Sequence, residues 1–183
     1  LAQLRNRYDA KTITIRVDAN GAFAPEDALN KLDQLNAYEI DSIEQPIAIN
    51  QWEHMSILCK KSPIPIALDE ELIGVFDPEI QSELLTQIEP QYLIFKPSLL
   101  GGFSNTQKWI DLAKKHNIAW WITSALESNV GLNAIAQWTY SKKPFMPQGL
   151  GTGSLFLNNI DSPLVIKKGC LWNDNAIPWR EIF

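Results

Sequence analysis

Asp18, Glu44, Asp69 and Lys96 are the residues of this chain whose types and spacing could do chemistry together. Each closes a short β-branched or apolar run, and the intervals between them are 26, 25 and 27 residues. That is about one strand plus one helix, and strands alternating with helical patterns read as βα units around a parallel sheet. If such units curl into a barrel, every strand ends at one rim, where barrel active sites are built. Three carboxylates and one amine would then face a single mouth. Hard oxygen ligands forming part of a shell suit magnesium, with manganese as the alternative. A cation held there would act as a Lewis acid on a substrate carboxylate. Loss of the neighbouring proton would leave an enediolate, whose charge such a dry site stabilises. Lys96, beside a cation, would hold its proton less tightly and could serve as base, acid or cationic stabiliser. Each residue also has a plainer reading. An Asp or Glu just past a strand often only shapes a loop or caps a helix, and a lone Lys there is often solvated. The shared interval favours the joint reading.

The elements that must position these groups are legible as repeats. Residues 1–8 read as the end of a helix. The run over residues 12–17 predicts a strand delivering Asp18, and Pro25 suits the first turn of a helix carrying Ala28, Leu29, Leu32 and Leu35 at helical spacing. Residues 40–43 predict the strand before Glu44, followed by a helix around Trp52, Met55 and Leu58. Residues 64–68 lead to Asp69 and a helix with Ile80, Leu84 and Ile88 on one face. Residues 92–95 lead to Lys96, and after Gly101-Gly102 comes a helix that Ser104 could cap. A fifth run, residues 118–123, ends at Ser124 and precedes a helix through Val130, Ile135 and Ala136. Gln148-Gly149-Leu150-Gly151-Thr152-Gly153 reads as a short sixth strand end, and its backbone could donate hydrogen bonds to an anionic group. The expected architecture is α/β: a partial (β/α) TIM-type barrel over residues 1–160, then a strand-like C-terminal tail over 161–183.

Composition bounds the function. A length of 183 residues is enough for a real core but short of the roughly 250 that a complete (β/α)₈ barrel uses. A net charge of −5 argues against a nucleic-acid surface. No apolar run approaches the roughly 18 residues of a membrane span. Cys59 and Cys170 lie in no metal-type spacing and read as reduced thiols, which fits a cytoplasmic enzyme acting on a small molecule. His54 and His116 occupy no strand end.

The motifs themselves carry a likeness. Arg16-Val17-Asp18-Ala19-Asn20-Gly21, Ile43-Glu44-Gln45-Pro46, Ala67-Leu68-Asp69-Glu70 and Phe95-Lys96-Pro97-Ser98-Leu99-Leu100-Gly101-Gly102 resemble the enolase superfamily. The likeness is greatest to its muconate-lactonising subgroup, and within it to the o-succinylbenzoate synthases of menaquinone biosynthesis. Ile122-Thr123-Ser124-Ala125-Leu126-Glu127-Ser128-Asn129 is similar to their seventh-strand segment. The resemblance implies that this chain covers about strands 3 to 8 of such a barrel. Asp18, Glu44 and Asp69 would be magnesium ligands and Lys96 the lysine that stabilises the enediolate. Asn20 would support the metal shell or the substrate, and Ser124, Ser128, Gly149 and Gly151 would lie near the succinyl tail. The implied reaction removes water from 2-succinyl-6-hydroxy-2,4-cyclohexadiene-1-carboxylate, a small carboxylate substrate. Family members take the proton with the second lysine of a Lys-x-Lys on the second strand, and no Lys-x-Lys occurs in these 183 residues. The expectation is that the N-terminal capping domain and first two strands are absent and that the chain alone is inactive. The tail would pack on that cap. The open sheet edges would pair with the missing portion or with another copy of the chain. Two other readings stand beside this one: an N-acylamino acid racemase or dipeptide epimerase of the same superfamily, and a catalytically silent metal-binding fragment.

Overall fold

The computed structural model describes residues 1–180. Strands and helices alternate: α1 (Ala2–Arg7), β1 (Arg16–Asp18), α2 (Pro25–Asn36), β2 (Ser42–Glu44), α3 (Trp52–Lys61), β3 (Ile66–Leu68), α4 (Pro78–Ile88), β4 (Tyr92–Phe95), α5 (Gly102–Lys115), β5 (Ala119–Ile122) and α6 (Asn129–Ser141). An antiparallel pair, β6 (Leu164–Lys167) and β7 (Cys170–Asn173), follows. The sheet runs in the order β1-β2-β3-β4-β5, with β1 to β4 pairing in parallel. Parallel neighbours need a crossover between them, and α2, α3 and α4 are those crossovers. Two compact units are distinguished: residues 1–94 with 107–120, and residues 95–106 with the chain from Trp121 onward.

In the first unit the core is built on β2 and β3, which are largely buried, the pattern of a parallel sheet flanked by helices. Ile43, Ile66, Ala67 and Leu68 are all buried. Pro25 stands at the start of α2 with Glu26 and Asp27 in the first turn, where its missing N–H costs nothing and acidic groups favour the helix dipole. Ala28 and Leu32 supply its buried face, and Met55, Leu58 and Cys59 that of α3. The strands are shorter than their apolar runs. Residues 12–15 are not strand, and the Ile13 carbonyl instead accepts from the Arg5 guanidinium at 2.8 Å. The same guanidinium donates to the carbonyls of Tyr38 (2.7 Å) and Glu39 (2.9 Å), so one side chain ties α1 to the chain just past α2. The α4 face also differs from expectation. Gln81, Leu84, Leu85 and Ile88 are buried, whereas Ile80 is 44% exposed. Gln81 takes the inward position because its amide donates to the Val75 carbonyl at 2.9 Å.

In the second unit Phe95, Leu100, Trp121, Ile122, Leu132 and Ile135 form the core. The helix begins at Gly102, so Ser104 lies within its first turn and is not the cap. The sixth strand end is reduced to one parallel bridge, Thr123 with Gly149. Phe103 stacks on Trp138 with ring centroids 4.9 Å apart, which fastens α5 to α6. The tail from residue 161 folds as the β6–β7 hairpin. Its two-residue loop, Lys168-Gly169, has positive φ at both positions, the conformation that matches the twist of a hairpin. Residues 181–183 of the expected tail lie outside the described residues. No described helix is long and apolar enough to cross a membrane.

Candidate active site

Asp18 and Glu44 are partners in the β1–β2 ladder, and Glu44 is in turn the partner of Ala67 on β3. Neighbouring strands lie about 4.8 Å apart, so these residues stand side by side at the carboxyl ends of their strands. Asp69 comes two residues after Ala67, the interval that returns a side chain to the same face. Their surroundings differ: Asp18 is exposed, Glu44 half-buried and Asp69 only 2% exposed. The first unit therefore carries the three expected carboxylates at or just past the ends of three successive strands.

The loops that follow these strands are tied to one another. Asp18 Oδ1 accepts from the Asn20 backbone N–H at 2.7 Å, and Asn20 Nδ2 donates to Glu70 Oε1 at 3.2 Å. Asn20 adopts φ 48° and Gly21 φ 69°. A Cβ on Gly21 would come within 3.1 Å of the Ala48 backbone, so the turn after β1 needs glycine to lie against the loop after β2.

Two residues that carry no strand-end signal of their own complete the tie. Gln45 is 1% exposed, and its Oε1 accepts from the backbone N–H groups of Asp69 and Glu71, each at 3.3 Å. Its Nε2 donates to the Ile47 carbonyl at 3.0 Å and to Glu71 Oε2 at 3.3 Å. Glu71, 4% exposed, accepts on Oε1 from Asn50 N (2.9 Å) and Trp52 Nε1 (2.8 Å). The only hint in the sequence is a polar residue directly after Glu44 and another two places after Asp69.

Among the described residues, no group of three or more His, Cys, Asp or Glu side chains is arranged to hold a metal ion. Fitness for a cation rests instead on donor chemistry. The ends of three neighbouring strands carry only oxygen donors from Asp18, Glu44 and Asp69, the hard ligands that magnesium takes in a partial shell.

The remaining candidates belong to the second unit. Lys96 follows β4 and is half-buried, its carbonyl accepting from Leu99 N (2.8 Å) and Leu100 N (3.0 Å) in a tight turn. Ser98 donates a short hydrogen bond to Glu127, whose other oxygen accepts from Ala125 N at 2.9 Å. Ser124 is buried, with its Oγ 2.5 Å from Thr152 Oγ1. Ser128 is the exposed residue preceding α6. Gly149 spends its own polar groups internally. Its N–H donates to the Ile122 carbonyl at 2.8 Å, and its carbonyl accepts from Ser124 N (3.0 Å) and Thr123 Oγ1 (2.9 Å). A Cβ there would overlap the Thr123 side chain, so close approach requires glycine. Gly151 lies against Ile166.

A βα succession with carboxylates at successive strand ends defines an α/β scaffold, and comparison with known proteins gives its family. A family model described as Enolase C-terminal domain-like matches residues 1–176, and the chain belongs to that family. It is 54% identical over 171 residues to an o-succinylbenzoate synthase of Desulfotalea psychrophila, covering 93% of this chain and 46% of that protein. The crystal structure of MenC from Desulfotalea psychrophila LSv54 matches with a TM-score of 0.90 at 54% identity, over 93% of this chain and 48% of that one. A D-Ala-D/L-Ala epimerase of Cytophaga hutchinsonii is 31% identical over 126 residues, covering 68% of this chain and 33% of that protein. The chain thus spans about half the length, or less, of these relatives.

Proposed function

We propose that these residues form the metal-holding and lysine-bearing part of a magnesium-dependent o-succinylbenzoate synthase, a hydro-lyase of menaquinone biosynthesis. The observation that carries this reading is the side-by-side delivery of Asp18 and Glu44 by paired parallel strands, with Asp69 next in strand order. The 54% identity to a protein named for that activity supports the choice of reaction. Asp18, Glu44 and Asp69 would hold the cation. Magnesium would supply Lewis-acid stabilisation of the charge that develops on the substrate carboxylate. Asn20 holds Asp18 through its backbone N–H and reaches Glu70 through its amide. Lys96 takes the role of cationic stabiliser that the resemblance implies, its ammonium balancing the enediolate. Ser124 and Ser128 are assigned to the succinyl tail on the same ground.

The proton itself needs a base, and a positioned general base contributes about 10²–10⁴-fold. The Lys-x-Lys that the resemblance implies for this step does not occur in these residues. The activity is accordingly proposed for these residues together with a portion that supplies the pair and excludes water from the site.

Formation of the aromatic product, followed by absorbance with magnesium present, tests this. The chain alone is expected to give no turnover, and the chain joined to the N-terminal portion of the Desulfotalea relative to give turnover that Lys96→Ala abolishes. Turnover of an N-acylamino acid or dipeptide epimer in place of dehydration would favour the second reading, to which the epimerase relative points. Magnesium binding without turnover in the joined form would favour the silent metal-binding reading.

A further inference from the structure

The amide of Gln45 is bonded on both sides, and its orientation is dictated by what surrounds it. Two backbone N–H groups face its oxygen, while a carbonyl and a carboxylate face its nitrogen. Reversing the amide would set donor against donor and acceptor against acceptor at all four contacts. Gln45 directly follows Glu44, and one of the two N–H groups it holds is that of Asp69. Glu71 locks the other side, since its three donors come from Gln45, Asn50 and Trp52, which span the loop after β2 and the start of α3. The backbone of Gln45 sits at φ 35°, a conformation that costs a non-glycine residue energy and persists only where the surroundings over-determine it.

We infer that Gln45, oriented by Glu71, is a positioning residue that fixes the Asp69 backbone against Glu44 and so sets the spacing of two of the carboxylates offered to the cation. The inference rests on the proposed magnesium site. Glu71 is a buried acceptor in this arrangement and not a ligand. Groups that orient metal ligands typically change affinity by about 10–100-fold when removed.

The test is calorimetric titration of magnesium into the whole chain and its variants. Gln45→Leu removes all four bonds at similar volume and is expected to weaken binding about 10–100-fold. Glu71→Gln keeps the acceptor for Asn50 and Trp52 but turns an NH₂ toward the NH₂ of Gln45. It is expected to weaken binding in the same direction, and it decides the matter if Gln45→Leu does not fold. Gln91→Leu is the control for loss of backbone anchoring alone. Gln91 accepts from Ile66 N at 3.0 Å at the opposite end of β3, so its loss should leave magnesium affinity within about twofold. Affinity unchanged in a folded Gln45→Leu, or lost equally in Gln91→Leu, would overturn the positioning role while leaving the site standing. A wild-type chain that takes no magnesium would overturn the site itself, and the positioning role with it.

Discussion

Asp69 is the most enclosed of the three strand-end carboxylates, and Asn matches its shape while removing one anionic oxygen. Asp69→Asn should therefore lower magnesium affinity about tenfold or more and move Tm by no more than about 4 °C. Equal affinity in the variant would remove Asp69 from the ligand set. A second residue-scale consequence concerns the thiols. Burial pushes the Cys59 thiol from 9.0 up to about 12, while Lys60 and Glu89, paired at 3.0 Å, pull it in opposite directions. A folded value above the unfolded one means that the stabilising contribution is complete below pH 9.0 and drains away as pH rises toward about 12. The slope reaches about 1.4 kcal/mol per pH unit in that window. Urea unfolding at pH 8 and pH 10.5 should show the loss in wild type and not in Cys59→Ala. A thiol reagent at pH 8 should modify the exposed Cys170 in the folded chain and both cysteines after unfolding. At this scale the placing of Asp18, Glu44, Asp69 and Lys96 at or just past strand ends was legible, because strand ends recur at a regular interval. Gln45 and Glu71 were not, because a buried amide and carboxylate joining two loops have no period to reveal them.

At the scale of elements, α4 depends on its first turn. Asp77 precedes it and accepts from the Glu79 N–H at 2.8 Å, with Pro78 at the first helical position. Asp77→Ala leaves that N–H without its partner and should cost about 1 kcal/mol, read as a lowered urea midpoint with unchanged slope. The order and type of the elements through α6 followed from the sequence, since helical spacing of apolar residues and β-branched runs differ in period. Their edges did not. Apolar runs continue past the ladder wherever a carbonyl finds another donor, as Ile13 does with Arg5. Ile80 shares the spacing of Leu84 and Ile88 but stays exposed because Gln81 holds the inward position. The Gly-rich segment around Gly149 reads as a strand end and forms one bridge, since its close approach to Thr123 leaves little room for a ladder.

At the scale of the molecule, β1 ends the sheet order and pairs on one side only with β2 among the described strands. An unpaired strand edge is a template for another chain. The chain alone is expected to sediment as a concentration-dependent associating species, and a stable folded monomer across the concentration range would contradict that expectation. At the carboxyl ends of β1, β2 and β3 stand Asp18, Glu44 and Asp69, the ligands proposed for one cation. Magnesium calorimetry on the chain and on an Asp18→Asn/Glu44→Gln variant is the decisive measurement. Saturable binding is expected in the wild type and none in the variant. Binding that survives both substitutions, or a wild-type chain that takes up no magnesium, would contradict that proposal.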